Sequence, residues 1–358
     1  MITQPTLSVN ETICRSNIQT MCEKAAANQL IFRPHFKTHQ SVKTGEWFRE
    51  AGVTAITVSS VSMAQKFAEA GWNEITIAFP LNIREAEKVA HLAERVKLNV
   101  LFDTHEQASA LASVLKQEAG YFIKIDVGHH RAGILPDDTD SIDRIISAAG
   151  SELLKFRGFL THAGQTYSAK NKDEIFSIHR KSAEILNGLK QKYNNKFPGI
   201  ITSSGDTPSC SLATDFTGID EIRPGNFVYY DLMQLHLGSC SFDQIAAAVI
   251  CPVVSVYPNR NEALIYGGAV HLSKESLNRP DGRRIFGLAV PFNEGNLTDT
   301  DVWQVPEGDD FVVSLSQEHG IISLDSQWAK NLKPGNLVAI IPVHSCLAAD
   351  LLGSGFSH

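Results

Sequence analysis

The sequence predicts an α/β protein in two parts, an N-terminal (β/α)8 barrel of the TIM type and a C-terminal β-rich domain. Three observations predict it. Eight short β-rich apolar runs alternate with longer amphipathic segments between about residues 30 and 230, and eight strands close a parallel barrel. No Gly-x-Gly-x-x-Gly follows the first run, as a doubly wound dinucleotide-binding sheet would require. After about Leu235 strand-like runs continue while the helical periodicity between them fades.

In chain order the eight runs are Leu30 to Pro34, Val53 to Val58, Glu74 to Phe79, Lys97 to Phe102, Tyr121 to Val127, Phe156 to Thr161, Gly199 to Ser203 and Ile222 to Tyr230. The spacers read as helices. Lys172 to Lys192 carries Ile175, Ile178, Leu186 and Leu189 at helical intervals and is stopped by Asn194, Asn195 and Pro198. Asp103 and Thr104, with Glu106 behind them, form a helix start. In the second part, Ala246 to Tyr257, Glu262 to Ser273, Arg284 to Pro291, Phe311 to Leu315 and Asn336 to Val343 read as strands. Loops such as Asn278 to Arg284 and Asn293 to Thr300 separate them. The expected domains are residues 12–235 and 236–358, with residues 1–11 as a candidate addition to the second.

Composition narrows the function classes. The 358 residues are 43% hydrophobic and 20% charged, enough for two large cores, and the net charge of -7 offers no basic field for a phosphate backbone. Small molecules are the expected partners, not nucleic acid. The six cysteines are scattered without a paired framework, which suits a reducing, cytoplasmic compartment. Residues Met1 to Ser8 lack a cationic stretch followed by an apolar one, and the longest apolar run is broken by Pro252, so neither signal peptide nor membrane span is expected.

In a parallel barrel the reacting groups follow the carboxyl ends of the strands. After the first run come Lys37 and His39, within Arg33-Pro34-His35-Phe36-Lys37-Thr38-His39. A lysine beside imidazoles at a barrel mouth can present its amine to a carbonyl cofactor, so Schiff-base chemistry is the first reading and a solvated surface lysine the plainer one. Lys37 and His39 are the candidate catalytic residues. After the fifth run comes Asp126-Val127-Gly128-His129-His130-Arg131-Ala132-Gly133, whose glycines could turn Arg131 into the mouth or leave it pairing with Asp126. His162-Ala163-Gly164-Gln165-Thr166-Tyr167 follows the sixth, Ser204-Gly205-Asp206-Thr207-Pro208 the seventh, and Arg223-Pro224-Gly225-Asn226 lies at the eighth. The last two turns, with free N–H groups and a hydroxyl, suit a phosphate, although each is also an ordinary tight turn. In the second part, Pro342-Val343-His344-Ser345-Cys346 ends a strand-like run. If the strand continues, His344 and Cys346 share a face as two ligands for a borderline metal such as zinc; a buried cysteine near an unrelated histidine is the alternative.

Together these motifs, with Glu318-His319-Gly320, resemble the D-serine dehydratase and D-threonine aldolase family, fold-type III pyridoxal phosphate enzymes related to alanine racemase. The resemblance spans nearly the whole chain in order. It implies an alanine racemase-like barrel with a C-terminal β domain, a homodimer, and Lys37 as the cofactor anchor. It further implies Arg131 at the cofactor's 3-oxygen, His162 against the ring, and Tyr167 at the pyridine nitrogen. Thr207, in the turn with Gly205, would join Gly225 and Asn226 at the phosphate, and His344 with Cys346 would hold a divalent metal, with zinc ahead of manganese or magnesium. Where the family often has His-Ala-Gly-His-Ser-Tyr this chain has Gln165 and Thr166, whose roles stay open.

The expected substrate is a D-3-hydroxy amino acid. Lys37, its amine pKa lowered by burial and cationic neighbours, would remove the α-proton while the metal binds the β-hydroxyl, and elimination of water would give an aminoacrylate that hydrolyses to a 2-keto acid and ammonia. The nearest alternative is retro-aldol cleavage of D-threonine or 3-hydroxyaspartate to glycine and an aldehyde, followed by racemisation and by pyridoxal phosphate binding without turnover. Cys346 favours dehydration, because the aldolase branch usually carries an aspartate there.

Overall fold

The computed structural model describes residues 2–292 and 308–353 and the backbone of Phe356–Ser357; the expected loop Asn293 to Thr300 lies outside them. The chain forms two compact units. One comprises Thr20–Lys37 and Val42–Gly225, the other Met1–Gln19, Thr38–Ser41 and Asn226–His358.

After β1 (Thr6–Val9) and α1 (Glu11–Ala27) the chain enters the first sheet. Its strands are β2 (Ile31–Phe32), β3 (Ile56–Val58), β4 (Glu74–Pro80), β5 (Lys97–Phe102), β6 (Ala119–Lys124), β7 (Leu154–Leu160), β8 (Ile201–Ser204) and β9 (Glu221–Ile222). They pair in parallel in the order β2-β9-β8-β7-β6-β5-β4-β3. A bridge between His35 and Thr57 closes the ring, with Phe36 N–H donating to Thr57 O (2.8 Å) and Thr57 N–H to Pro34 O (2.9 Å). The helices between strands are α2 (Val42–Glu50), α3 (Val61–Glu69), α4 (Ala86–Ala93), α5 (His105–Val114), α6 (Thr139–Ala148), α7 (Lys172–Asn194) and the short α8 (Thr207–Leu212).

Local chemistry sets these elements. Asn171 caps α7 by accepting the Glu174 N–H, and the helix buries Ile175, His179, Ala183, Leu186, Leu189 and Tyr193 along one stripe. At α5 the reciprocal cap is closed by Gln107 rather than Glu106, its Oε1 accepting the Asp103 and Thr104 N–H groups at 2.8 and 3.3 Å. The eighth strand differs from expectation. It stops at Ile222, because Pro224 has no N–H to donate, and Asn226–Val228 form a 3-10 turn instead.

The second unit holds α9 (Leu232–His236), β10 (Ala247–Tyr257), β11 (Glu262–Tyr266), α10 (Ala269–Leu272), β12 (Leu277–Asn278), β13 (Arg284–Ile285), β14 (Gly287–Pro291), β15 (Phe311–Leu315), β16 (His319–Ser323), α11 (Gln327–Lys330), β17 (Leu337–Pro342), α12 (Ser345–Leu352) and β18 (Phe356–Ser357). Antiparallel pairing in the order β11-β16-β15-β14-β17-β10 returns from β10 to β11, which closes a second barrel. β10 is long enough to serve three neighbours. Its first residues pair with β1, Val249 to Pro252 with β17, and its far half with β11 beyond a bulge at Val253–Ser255. Val249, Cys251 and Val253 alternate inward against Ile265, Val312 and Ile340. The run expected from Glu262 to Ser273 is a strand only to Tyr266, after which Gly267 and Gly268 lead into α10. β16 was not among the expected strands. No helix among the described residues is long and apolar enough to cross a membrane.

Candidate active site

In the parallel barrel the candidate residues gather at the carboxyl ends of successive strands. Lys37 follows β2 and is exposed, with its N–H on His35 Nδ1 at 3.3 Å. Burial by the protein, expected to act on its amine, is therefore absent. Asp126 begins the loop after β6, and its Oδ1 accepts the N–H groups of Gly128, His129 and His130 at 2.9, 2.9 and 3.1 Å. Burial raises its carboxyl pKa, but those three bonds and His130 outweigh it and hold the group below the usual range. Gly128 and Gly133 take φ of 109° and 112°, where a side chain would be strained. The loop leaves Arg131 exposed, and the ion-pair partner of Asp126 is His130 at 3.2 Å, not Arg131.

His162, after β7, meets Gly205 O through Nδ1. Burial drives its pKa well below the ordinary value, and the charges of Lys37, Arg131 and Lys124 add to that, so the ring is a neutral imidazole. His129 packs edge-to-face on it at 5.8 Å, and a Cβ on Gly164 would stand 2.3 Å from the His129 ring, which would have to move to admit it. Gln165 Nε2 donates to Val127 O at 3.1 Å. Three contacts brace this turn against the one after β8: His162 to Gly205, Thr166 Oγ1 to Asp206 Oδ1 (3.1 Å), and Thr207 N–H to Tyr167 Oη (3.3 Å). Asp206 caps α8 through Ser209 N–H (2.7 Å). Tyr167 Oη thus lies against the first residue of α8.

Two basic residues of this unit were not among the expected site residues. Lys124 ends β6 and is 5% exposed; burial first, then Arg223 and Arg131, lower its pKa to about 8. Its sequence signal was a lysine inside the otherwise apolar Tyr121-Phe122-Ile123-Lys124-Ile125. Arg223 turns into the barrel interior, where its Nε donates to Ser203 Oγ (2.6 Å), which in turn donates to Glu221 (2.6 Å). Glu221 also holds Arg33 at 2.7 Å. Full burial lowers the Arg223 pKa to about 10 against the pull of Glu221.

The second unit carries His39, Asn226, His344 and Cys346. His39 is buried, its Nδ1 3.1 Å from the Ser41 backbone nitrogen, so the ring folds onto its own turn. The pair His344 and Cys346 corrects the strand argument. β17 ends at Pro342, His344 is the N-cap residue of α12, and Cys346 lies in that helix's first turn. They nevertheless meet. Burial alone would lower the His344 pKa, but the hydrogen bond and charge of Cys346, with Asp231 and Glu275, raise it to about 9. Asn226 turns its amide toward Asp231 (2.7 Å), Ser345 (3.0 Å) and Cys346 (3.4 Å), which leaves its backbone for any phosphate contact.

The donor sets can be tested against the implied groups. An accessible amine with Arg131, Lys124 and a neutral imidazole grouped by their mutual effects suits a carbonyl cofactor with an anionic arm. An imidazole touching a thiol suits zinc, and these two side chains by themselves would leave positions for water or substrate.

Comparison with known proteins identifies both parts of the chain. The profile "Alanine racemase, N-terminal domain" matches residues 9–232 and "Putative serine dehydratase domain" matches residues 246–356. The chain is 29% identical to a D-serine dehydratase of Dictyostelium discoideum over 97% of its own length and 91% of that protein's. It is 27% identical to the D-threo-3-hydroxyaspartate dehydratase of Delftia sp. (strain HT23), over 92% and 87%. A solved variant of a D-threo-3-hydroxyaspartate dehydratase in a metal-free form superposes with a TM-score of 0.88 at 23% identity, covering 98% of this chain and 93% of that one. The chain belongs to the alanine racemase N-terminal domain family, in the arrangement that continues into a serine dehydratase-type domain.

Proposed function

We propose that this chain is a pyridoxal 5'-phosphate- and divalent-metal-dependent lyase that eliminates water from a D-3-hydroxy amino acid, the released enamine then hydrolysing to a 2-keto acid and ammonia. The observation that carries it is the contact of His344 with Cys346 in a chain whose barrel presents Lys37 at a strand end. The two dehydratase relatives, aligned over nearly all of the chain, support the same reading.

Bound pyridoxal phosphate supplies an electron sink for charge developing at the substrate's α-carbon. A divalent metal on His344 and Cys346 supplies Lewis acidity toward the β-hydroxyl, and the thiolate favours zinc over manganese or magnesium. Lys37 Nζ would hold the cofactor's carbonyl and is the amine placed to take the substrate's α-proton. His162, kept neutral by burial and oriented by its Nδ1 bond to Gly205 O, is the ring placed to lie against the cofactor. Arg131 offers a cation to the 3-oxygen. Gly205, Gly225 and the Asn226 backbone offer N–H groups and Thr207 its hydroxyl to the phosphate, Tyr167 is the candidate for the pyridine nitrogen, and His39 is a candidate catalytic residue. A homodimer in the cytoplasm completes the proposal, the compartment supported by six free thiols.

The purified protein, incubated with D-serine, D-threonine and D-threo-3-hydroxyaspartate, is expected to release keto acid and ammonia. Glycine and an aldehyde as main products would overturn the choice of reaction. Lys37→Ala should lose at least about a thousandfold in activity together with the visible absorbance that borohydride abolishes, and retention of that absorbance would remove Lys37 as the anchor.

A further inference from the structure

We infer that Thr38 and Asn226 are positioning residues for the metal, acting through the sulfur of Cys346, which both address. The inference rests on the metal-dependent reading above and adds two side chains that neither the sequence nor the family resemblance assigns to the metal. Thr38 is fully buried, and its hydroxyl lies 3.2 Å from Cys346 Sγ. Asn226 is also buried, with Nδ2 3.4 Å from the same atom. Both belong to the same unit as Cys346.

A cysteine that ligates metal is a thiolate and can only accept hydrogen bonds, so both contacts then run from oxygen and nitrogen to sulfur. The amide is aimed by Asp231. Its Oδ2 takes an Asn226 hydrogen at 2.7 Å and also accepts the Ser345 N–H at 2.9 Å, which ties the amide to the helix turn that carries Cys346. Donors on a metal-bound sulfur fix its rotamer and withdraw charge from it, and groups of this kind alter metal affinity by about 10- to 100-fold.

Thr38 directly follows Lys37 and Asn226 directly follows Gly225, and the chain crosses between the two units at these steps. The groups addressing the sulfur are therefore the first residues beyond two candidates of the cofactor side.

The test is zinc competition against a chromophoric chelator on the full-length protein, with the sulfur-to-metal charge-transfer band of the cobalt(II)-substituted protein as a second readout. Thr38→Val keeps the shape and removes the donor; it should weaken zinc binding about tenfold and move the band to lower energy. Thr38→Ser should restore both, and Asn226→Leu should move the band the same way. If Thr38→Val folds poorly by near-ultraviolet circular dichroism, Thr38→Ala against Thr38→Ser carries the same comparison. Wild-type binding with an unmoved band and zinc affinity within twofold in Thr38→Val overturns the inference alone. Wild-type protein that binds no zinc overturns the metal-dependent reading and this inference with it.

Discussion

The two barrels of this chain specify their candidate residues by different means. In the parallel barrel each one follows a strand directly: Lys37 after β2, the Asp126 loop after β6, His162 after β7, Gly205 after β8 and Gly225 after β9. All parallel strands point the same way, so locating a strand end locates a position at the mouth. In the antiparallel unit successive strands point in opposite directions, and no such rule holds. His344 and Cys346 are placed instead by a strand-to-helix junction, and their surroundings come from Thr38, Asn226 and Asp231, far away in sequence. The first arrangement is encoded locally and the second by long-range contacts.

The largest expected effect separates the two. His344→Ala or Cys346→Ala should remove zinc and lower dehydratase activity about a thousandfold, the several kcal/mol that Lewis-acid stabilisation supplies. The cofactor's visible absorbance should stay at the wild-type level. Loss of cofactor together with metal would break the comparison, because the cofactor side would then depend on the metal side.

Legibility follows the same division. Counting apolar runs located all eight parallel strands, because each is apolar and is punctuated by polar turns. The count overextended the first, second, fifth and seventh runs by two or three residues and the last by eight, where Pro224 ends a ladder whose apolar pattern continues through Phe227 to Tyr230. His344 and Cys346 were legible as a pair of ligand types, yet the geometry expected of them was wrong, since a strand tail and a helix N-cap cannot be told apart over five residues. Thr38 and Asp231 carry no local signal; only tertiary contact reveals them. Lys124 did carry one, a charge inside a β-rich run, but a strand-end rule looks past residues within the strand.

Lys124 offers the next largest effect and sharpens the barrel side. Its pKa is lowered to about 8 from an ordinary 10.5, so the folded state releases this proton before the unfolded chain does. The buried ammonium therefore costs stability at every pH below about 8, and the cost disappears as pH rises from about 8 to 10.5. Replacing it should remove that penalty. Lys124→Met is expected to raise stability at pH 7 by up to about 3 kcal/mol and to flatten the rise in stability across that window, read by urea unfolding of the cofactor-free protein. An unchanged profile would mean that the amine finds solvent at the mouth. A stabilised but less active variant would mark Lys124 as a cation kept for function.

Asp206 tests the bracing of the two turns at a smaller scale. Burial raises the pKa of its carboxyl, against the bonds from Ser209 and Thr166, so the ionised form costs stability at neutral pH and that cost is relieved as pH falls through the folded pKa. Asparagine keeps an oxygen for the Ser209 N–H without the charge, while alanine removes the cap. Asp206→Ala should cost about 1 to 2 kcal/mol and loosen pyridoxal phosphate about tenfold, whereas Asp206→Asn should stay within about 0.5 kcal/mol of wild type. Equal losses in both would mean that the charge, rather than the acceptor oxygen, holds the turn.

Lys24 gives the smallest effect and asks how far local encoding reaches. Its Nζ sits on the carbonyls of Cys210, Ser211 and Ala213 at the far end of α8, the helix whose first residue is Thr207. A cation suits the negative end of a helix, and three carbonyls satisfy all three of its hydrogens. Burial opposes this by lowering the amine's pKa, so part of the hydrogen-bond gain is offset. Lys24→Met is therefore expected to cost about 1 kcal/mol in urea unfolding and to change pyridoxal phosphate affinity by less than about threefold, because 0.6 kcal/mol already corresponds to that factor. If affinity falls tenfold or more, the phosphate turn depends on an anchor some 180 residues earlier in the chain, and the barrel side would share the long-range dependence of its antiparallel partner.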